Sequence, residues 1–218
     1  MYGKGYTGQR RGICTVSPFY AFVRVLAGLV IYLLFWPRVS GRENLPKRGP
    51  VLLVANHKSW WDPVLLGVVL PRQVYFMAKA ELYKNPLFGA VLRGLGAFPV
   101  HRGTADRASL RQTFELLSRG MVVGLFPEGT RSRTDVLKAP EPGAGYIALR
   151  TPAQVIPAGI VGRYRLFRRM AVHVGPAVAM DDLRDGRIDM RSAAVASDRM
   201  MATIAGLCGR EWHGSVYE

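Results

Sequence analysis

The sequence predicts an α/β protein: a mixed, largely parallel sheet flanked by helices, preceded by an apolar, membrane-associating helical segment. Three observations predict it. From Val51 onward, apolar runs of strand length alternate with stretches whose apolar residues recur at helical spacing. The run Val51-Leu52-Leu53-Val54-Ala55 is apolar at every position, which reads as a buried strand. Ahead of both lies a stretch, residues 18–36, that is almost wholly apolar except for Arg24. The chain therefore divides into a basic tail (1–16), the apolar segment (17–38) and one α/β domain (39–218).

Taken in order, residues 1–16 carry Lys4, Arg10 and Arg11 with little to bury, and read as a tail. In the segment that follows, the uninterrupted run after Arg24 is Val25 to Trp36, twelve residues. As helix that is about 18 Å, short of a hydrocarbon core of about 30 Å. Three readings compete: a helix in the membrane interface, a single span, or a helix packed on the domain. Contact without full crossing is preferred, with Tyr20, Tyr32, Phe35 and Trp36 at the headgroup boundary and Arg24 and Arg38 snorkelling to phosphates. The plain alternative makes these aromatics core. After the Val51 strand, Pro63-Val64-Leu65-Leu66-Gly67 opens a helix with Asp62 as its N-cap. Strands are expected at 74–79, 97–100, 121–126, 154–161 and 171–178. Helices are expected at 85–94, 104–119, 143–149 and 189–212. The second of these carries Leu110, Phe114 and Leu117 on one stripe and stops at Gly120; the last offers Val195, Met201, Ile204 and Leu207 as core. Residues 180–191 read as a loop.

Composition narrows the function classes. Lys plus Arg number 30 against 15 Asp plus Glu, a net charge of +15, which calls for an anionic partner: nucleic acid, anionic lipid or a phosphorylated substrate. The two cysteines, Cys14 and Cys208, are too far apart in sequence for a Cys-x-x-Cys, which argues against a zinc site or a disulfide framework and fits a reducing compartment. There is no His-Glu-x-x-His, no Walker A motif and no Gly-x-Ser-x-Gly elbow. Gly143-Ala144-Gly145-Tyr146-Ile147-Ala148 spells a dinucleotide fingerprint, but it follows Pro140-Glu141-Pro142 rather than a strand.

The stretch Asn56-His57-Lys58-Ser59-Trp60-Trp61-Asp62 is the centre of the chemistry. On a regular helix His57 and Asp62 would point about 140° apart. On a strand-to-helix turn the chain can fold back and pair imidazole with carboxylate, fixing the tautomer that a general base needs. A capping role for Asp62 accommodates the same residues.

With its neighbours this stretch resembles the first motif of the glycerolipid acyltransferases, the family of 1-acylglycerol-3-phosphate acyltransferase: His, four residues, Asp. The second block, an arginine after a glycine-led strand, is Gly96-Ala97-Phe98-Pro99-Val100-His101-Arg102. The third is Phe126-Pro127-Glu128-Gly129-Thr130-Arg131, and the fourth, an apolar run with a proline, is Val155-Ile156-Pro157-Ala158-Gly159. All four stand in family order across residues 40–180, the fourth being the loosest match. The resemblance implies an acyl transfer in which His57 takes the proton from an acceptor hydroxyl that attacks a thioester, with Asp62 orienting His57. Arg102 and Arg131, with Lys79 as a further candidate, would hold the phosphate of a lysophosphatidate. Gly129 would let the backbone approach, Thr130 would donate a hydroxyl, and Glu128 would accept from a glycerol hydroxyl or brace Arg131. Leu65, Leu66, Val68, Val69, Leu70, Phe88 and Leu92 are candidates for an acyl groove, and Trp60 and Trp61 for packing or lipid contact.

The implied co-substrate is acyl-coenzyme A or an acyl-carrier protein, with no resident cofactor and no metal. Anionic membrane lipid, at the cytoplasmic face of the cell membrane, is the expected partner, and nucleic acid is not. The arginines at 163, 165, 168 and 169, interleaved with Tyr164, Leu166 and Phe167, suit anionic lipid or an acidic carrier. Within the family, glycerol 3-phosphate or another lysophospholipid is the alternative acceptor. Outside it, the charge alone suggests a nucleic-acid binder, and the apolar segment a membrane adaptor with a dead site.

Overall fold

The computed structural model describes residues 17–101, 106–132 and 136–214. The basic tail, Cys14 and Arg102 lie outside them. Among the described residues seven strands form one sheet: β1 (Arg38–Ser40), β2 (Val51–Ala55), β3 (Val74–Lys79), β4 (Phe98–Val100), β5 (Val122–Leu125), β6 (Gln154–Val161) and β7 (Ala171–Val174). Their order is β1-β7-β6-β2-β5-β3-β4, and every neighbouring pair is parallel except β6 with β7. The expected mixed, largely parallel sheet is what the chain forms. Among the described residues seven α-helices accompany it: α1 (Pro18–Phe35), α2 (Asp62–Val69), α3 (Pro86–Gly94), α4 (Arg107–Ser118), α5 (Pro142–Arg150), the short α6 (Asp181–Arg184) and α7 (Met190–Leu207).

The continuous apolar run of β2 follows from its place at the sheet's centre, where neither face meets water. Alternate residues supply the two cores. Val51, Leu53 and Ala55 join Ile31 and Phe35 of α1, Leu65 and Leu66 of α2, and Ile156 and Ile160 of β6. Leu52 and Val54 join Val123 and Leu125 of β5, Ile147 and Ala148 of α5, and Met200, Met201 and Ile204 of α7. The result is three layers, with α1 and α2 on one face of the sheet and α4, α5 and α7 on the other.

Several expectations need correction. Helix α1 is packed on the domain through Tyr20, Ile31 and Phe35, while Phe22, Val25, Leu26, Leu29, Leu33 and Trp36 stay exposed on its outer side. Packing and an outward apolar face thus coexist in one helix. Arg24 does not reach outward: its guanidinium donates to the carbonyls of Val68 (3.2 Å) and Leu70 (2.6 Å) at the C-terminal end of α2. Charge and hydrogen bonding both favour a cation there. Leu65, Leu66, Val69 and Leu70 are fully built into the core rather than lining a groove, and Phe88 is exposed on α3. Val195 is exposed, α7 ends at Leu207, and the 180–191 segment contains α6 and the start of α7 with its N-cap Asp189, which forms a capping box with Ser192. β7 stops at Val174; beyond it only an isolated bridge joins Val178 to Val155. The three-residue β1 is too short to carry a periodic signal.

The dinucleotide-like spelling has a packing explanation. Gly145 lies on α5 where α7 crosses: a Cβ there would collide with the backbone carbonyl of Ala193, and its N–H donates to Ser197 Oγ at 2.8 Å. Its missing side chain is what admits the neighbouring helix.

Candidate active site

The C-terminal ends of β2, β5 and β6 lie side by side because these strands are parallel neighbours. Each releases its chain into the same region, the usual location of a ligand site in an open α/β sheet. From β2 come Asn56 and His57, from β5 Phe126 to Arg131, and from β6 Gly162 to Arg165. Asn56 locks the platform. Its buried amide donates to the carbonyl of Ile160 (3.0 Å) and accepts from the same residue's N–H (2.7 Å), tying the end of β2 to β6.

His57 is held on every side. Its N–H donates to Glu128 Oε1 at 2.8 Å, its carbonyl accepts from Ser132 N–H at 2.8 Å, and its ring stacks on Phe126 with centroids 4.0 Å apart. Phe126 in turn stacks on Phe76 of β3. The imidazole Nδ1 lies 2.8 Å from Asp62 Oδ2. An ionised carboxylate only accepts, so Nδ1 carries a hydrogen, and in the neutral imidazole the lone pair is then on Nε2. Among the described residues none holds Nε2 by a hydrogen bond.

Asp62 is fully buried, and a buried carboxylate needs partners to offset its desolvation. It has four. Oδ2 accepts from the backbone N–H groups of Lys58 (2.6 Å) and Ser59 (2.7 Å) as well as from His57, and Oδ1 accepts from the hydroxyl of Tyr164 (2.7 Å). It therefore stands inside the helix, one position past its N-cap Trp61, and stitches the preceding turn rather than capping α2. This is the fold-back that lets a five-residue separation close to hydrogen-bond distance. Burial, then the adjacent Asp62 charge, push the Tyr164 phenol far above its ordinary value, so it remains a donor.

The third block folds into a turn in which Gly129 adopts φ 65°, a left-handed conformation favoured by glycine. Glu128 is buried, and its two oxygens accept from the N–H groups of His57 and Lys138 (3.0 Å). Burial pushes its carboxyl above the usual range, against the opposing pull of those two N–H groups and the nearby charges of His57 and Lys138. Glu128 does not brace Arg131; it clamps the His57 turn to the loop at residue 138. Arg131 instead lies over the indole of Trp60, 4.0 Å from the ring centroid, a cation–π contact joining the first block to the third. Thr130 Oγ1 accepts from Lys138 Nζ at 3.1 Å, on the exposed side of the turn. Lys79 ends β3 and pairs at the surface with Glu81 at 3.1 Å. The structure thus brings together His57, Asp62, Glu128, Gly129, Thr130 and Arg131, and leaves Lys79 engaged with another partner. Tyr164 and Lys138 were not expected at the site. Tyr164's only sequence signal was its place inside a basic cluster.

The acyltransferase family model matches residues 37–161, and the chain belongs to this family. Within it, similar proteins are 1-acyl-sn-glycerol-3-phosphate acyltransferases. That of Bacillus subtilis is 39% identical over 127 residues, covering 57% of this chain and 62% of the relative; that of Streptococcus pneumoniae is 29% identical over 193 residues, covering 82% and 70%. A lyso-ornithine lipid O-acyltransferase of Pseudomonas aeruginosa is 33% identical over 193 residues, covering 88% of this chain and 65% of that one. The fold matches the crystal structure of the 1-acyl-sn-glycerophosphate acyltransferase of Thermotoga maritima with a TM-score of 0.67 at 24% identity, covering 86% of this chain and 79% of that one.

Proposed function

We propose that the protein moves a fatty acyl group from a thioester to the free hydroxyl of 1-acylglycerol-3-phosphate, making phosphatidate at a membrane surface. The observation that carries this reading is the 2.8 Å contact between His57 Nδ1 and Asp62, which leaves Nε2 as a base. In the proposed step the acceptor hydroxyl gives its proton to Nε2 as its oxygen attacks the thioester carbonyl. The tetrahedral intermediate then expels the thiolate, which takes the proton back from the imidazolium. The thiol is a good leaving group, so no acyl-enzyme is needed. Asp62 steadies the imidazolium that forms. Arg131, with Arg102 on the preceding block, holds the acceptor phosphate, and Glu128 keeps the His57 turn in place. The donor is acyl-coenzyme A or an acyl-carrier protein.

The exposed apolar face of α1 supports a membrane-surface location, since an acceptor with one long chain is met there. A second acceptor is favoured by a specific observation: the lyso-ornithine lipid relative matches 88% of this chain. A panel of acceptors (lysophosphatidate, glycerol 3-phosphate, lyso-ornithine lipid) against both donor types, read by mass spectrometry, decides between them. Phosphatidate from lysophosphatidate is expected, and His57→Ala should lose nearly all of it. Full turnover in that variant ends the proposal.

A further inference from the structure

We infer that the loop between β6 and β7, residues 163–169, seats on the phosphate headgroups of an anionic membrane, and that Tyr164 carries this seating to Asp62. The inference rests on the membrane-surface reading above and assigns it a loop and a route.

Four of the loop's seven residues are arginine, and no acidic residue occurs between Glu141 and Asp181. Arg163, Arg165, Arg168 and Arg169 are all exposed and, with Phe167, line a shallow cavity of ≈ 590 Å³. At the tip Leu166 is 64% and Phe167 71% exposed, and Phe167 holds φ 60°, an outlier for an aromatic residue. Exposed apolar residues among guanidinium groups suit a surface that is oily below and anionic above. The loop is also fastened to the lipid-facing helix: Phe167 N–H donates to Leu34 carbonyl (2.9 Å) and Met170 N–H to Phe35 carbonyl (3.0 Å). It therefore continues the exposed stripe that ends at Leu33 and Trp36. An acidic carrier protein would answer the arginines but leave that apolar continuation uncovered.

The base of the loop grips the dyad. Tyr164 sets its ring edge-on against Phe35 of α1, centroids 5.2 Å apart, and sends its hydroxyl to Asp62. Lys58 Nζ donates to the carbonyl of Gly162 at 2.9 Å. Seating the loop fixes Tyr164; Tyr164 fixes the second oxygen of Asp62; Asp62 fixes the ring of His57. Tyr164 is thus a positioning residue.

The test floats the full chain with phosphatidylcholine vesicles, with and without phosphatidylglycerol. Replacing Arg165, Arg168 and Arg169 together by Gln should weaken partition onto the anionic vesicles by about fivefold per arginine, and leave partition onto neutral vesicles unchanged. Tyr164→Phe keeps the ring and should bind like the parent, but with kcat lower by roughly tenfold at unchanged KM, and with no stimulation by phosphatidylglycerol. Independently of turnover, diethylpyrocarbonate labelling of His57, followed by mass spectrometry, should change with anionic vesicles in the parent and not in Tyr164→Phe. Parental partition of the triple variant overturns the headgroup seat. If that variant instead loses turnover only with a carrier-protein donor, the loop docks the carrier and the inference is wrong. Parental kcat or a parental labelling response in Tyr164→Phe overturns the route. Should no acceptor be acylated at all, the functional reading fails, while flotation and labelling still decide the inference.

Discussion

At the scale of single residues, Asp62 is the most committed group in the site. Three donors converge on Oδ2 and one on Oδ1, and an amide cannot accept from all of them. Asp62→Asn should present its NH2 to one donor and favour the wrong imidazole tautomer, lowering kcat by about 10³–10⁴-fold; steady-state kinetics on folded variant checks it. Glu128 makes a prediction in pH. Its folded value is raised, chiefly by burial, so its contribution to stability is complete below the ordinary glutamate value of about 4.3 and is lost as pH rises through the raised value. Against Glu128→Gln, which does not ionise, the parent's melting temperature should lose ground over that window and run parallel above it. Parallel curves throughout would refute the shift. The His57–Asp62 pairing was legible because the turn is local, and the strand and helix that bracket it have clear patterns. Tyr164 was not, because its contact with Asp62 spans 102 positions and depends on β6 lying beside β2. The surface pair of Lys79 with Glu81 was not legible, because position after a strand does not reveal a neighbour.

At the scale of elements, periodicity located the long helices and the buried strands, since burial on one or both faces leaves a repeat in the chain. It gave no sign of β1, which is three residues long, or of the helix-end role of Arg24. It also could not rank the meanings of Gly143-Ala144-Gly145, which the crossing of α5 and α7 explains. Gly145→Ala tests that crossing. Its Cβ would press on the Ala193 carbonyl, a backbone atom that cannot rotate aside. Overpacking of this kind costs typically 1–3 kcal/mol, to be read from denaturant midpoints. Gly143→Ala, on the same helix with nothing within 4 Å, should fall within about 0.5 kcal/mol of the parent.

At the scale of the whole molecule, the apolar face is one-sided. Phe22, Leu26, Leu29, Leu33 and Trp36 recur three or four positions apart, with Val25 one turn before Leu29, so they share the outer side of α1 while Ile31 and Phe35 take the inner. Leu26→Glu with Leu29→Glu should sharply reduce flotation with vesicles while changing the midpoint of unfolding by less than about 1 kcal/mol, because both positions are solvent-facing. Unchanged flotation would show that this face meets something other than lipid.

The direct passage of the chain from α1 through Trp36 into β1 has a practical outcome. Arg38 N–H donates to Met170 carbonyl, and β1 pairs with β7 along Arg38, Val39 and Ser40. Trimming the chain to Arg38 to obtain a more tractable protein would strip the roof from one hydrophobic layer and begin to unzip a sheet margin, leaving sticky backbone open to neighbouring molecules. Preparations meant to stay dispersed without detergent are better served by repainting the outward side chains than by cutting the segment away.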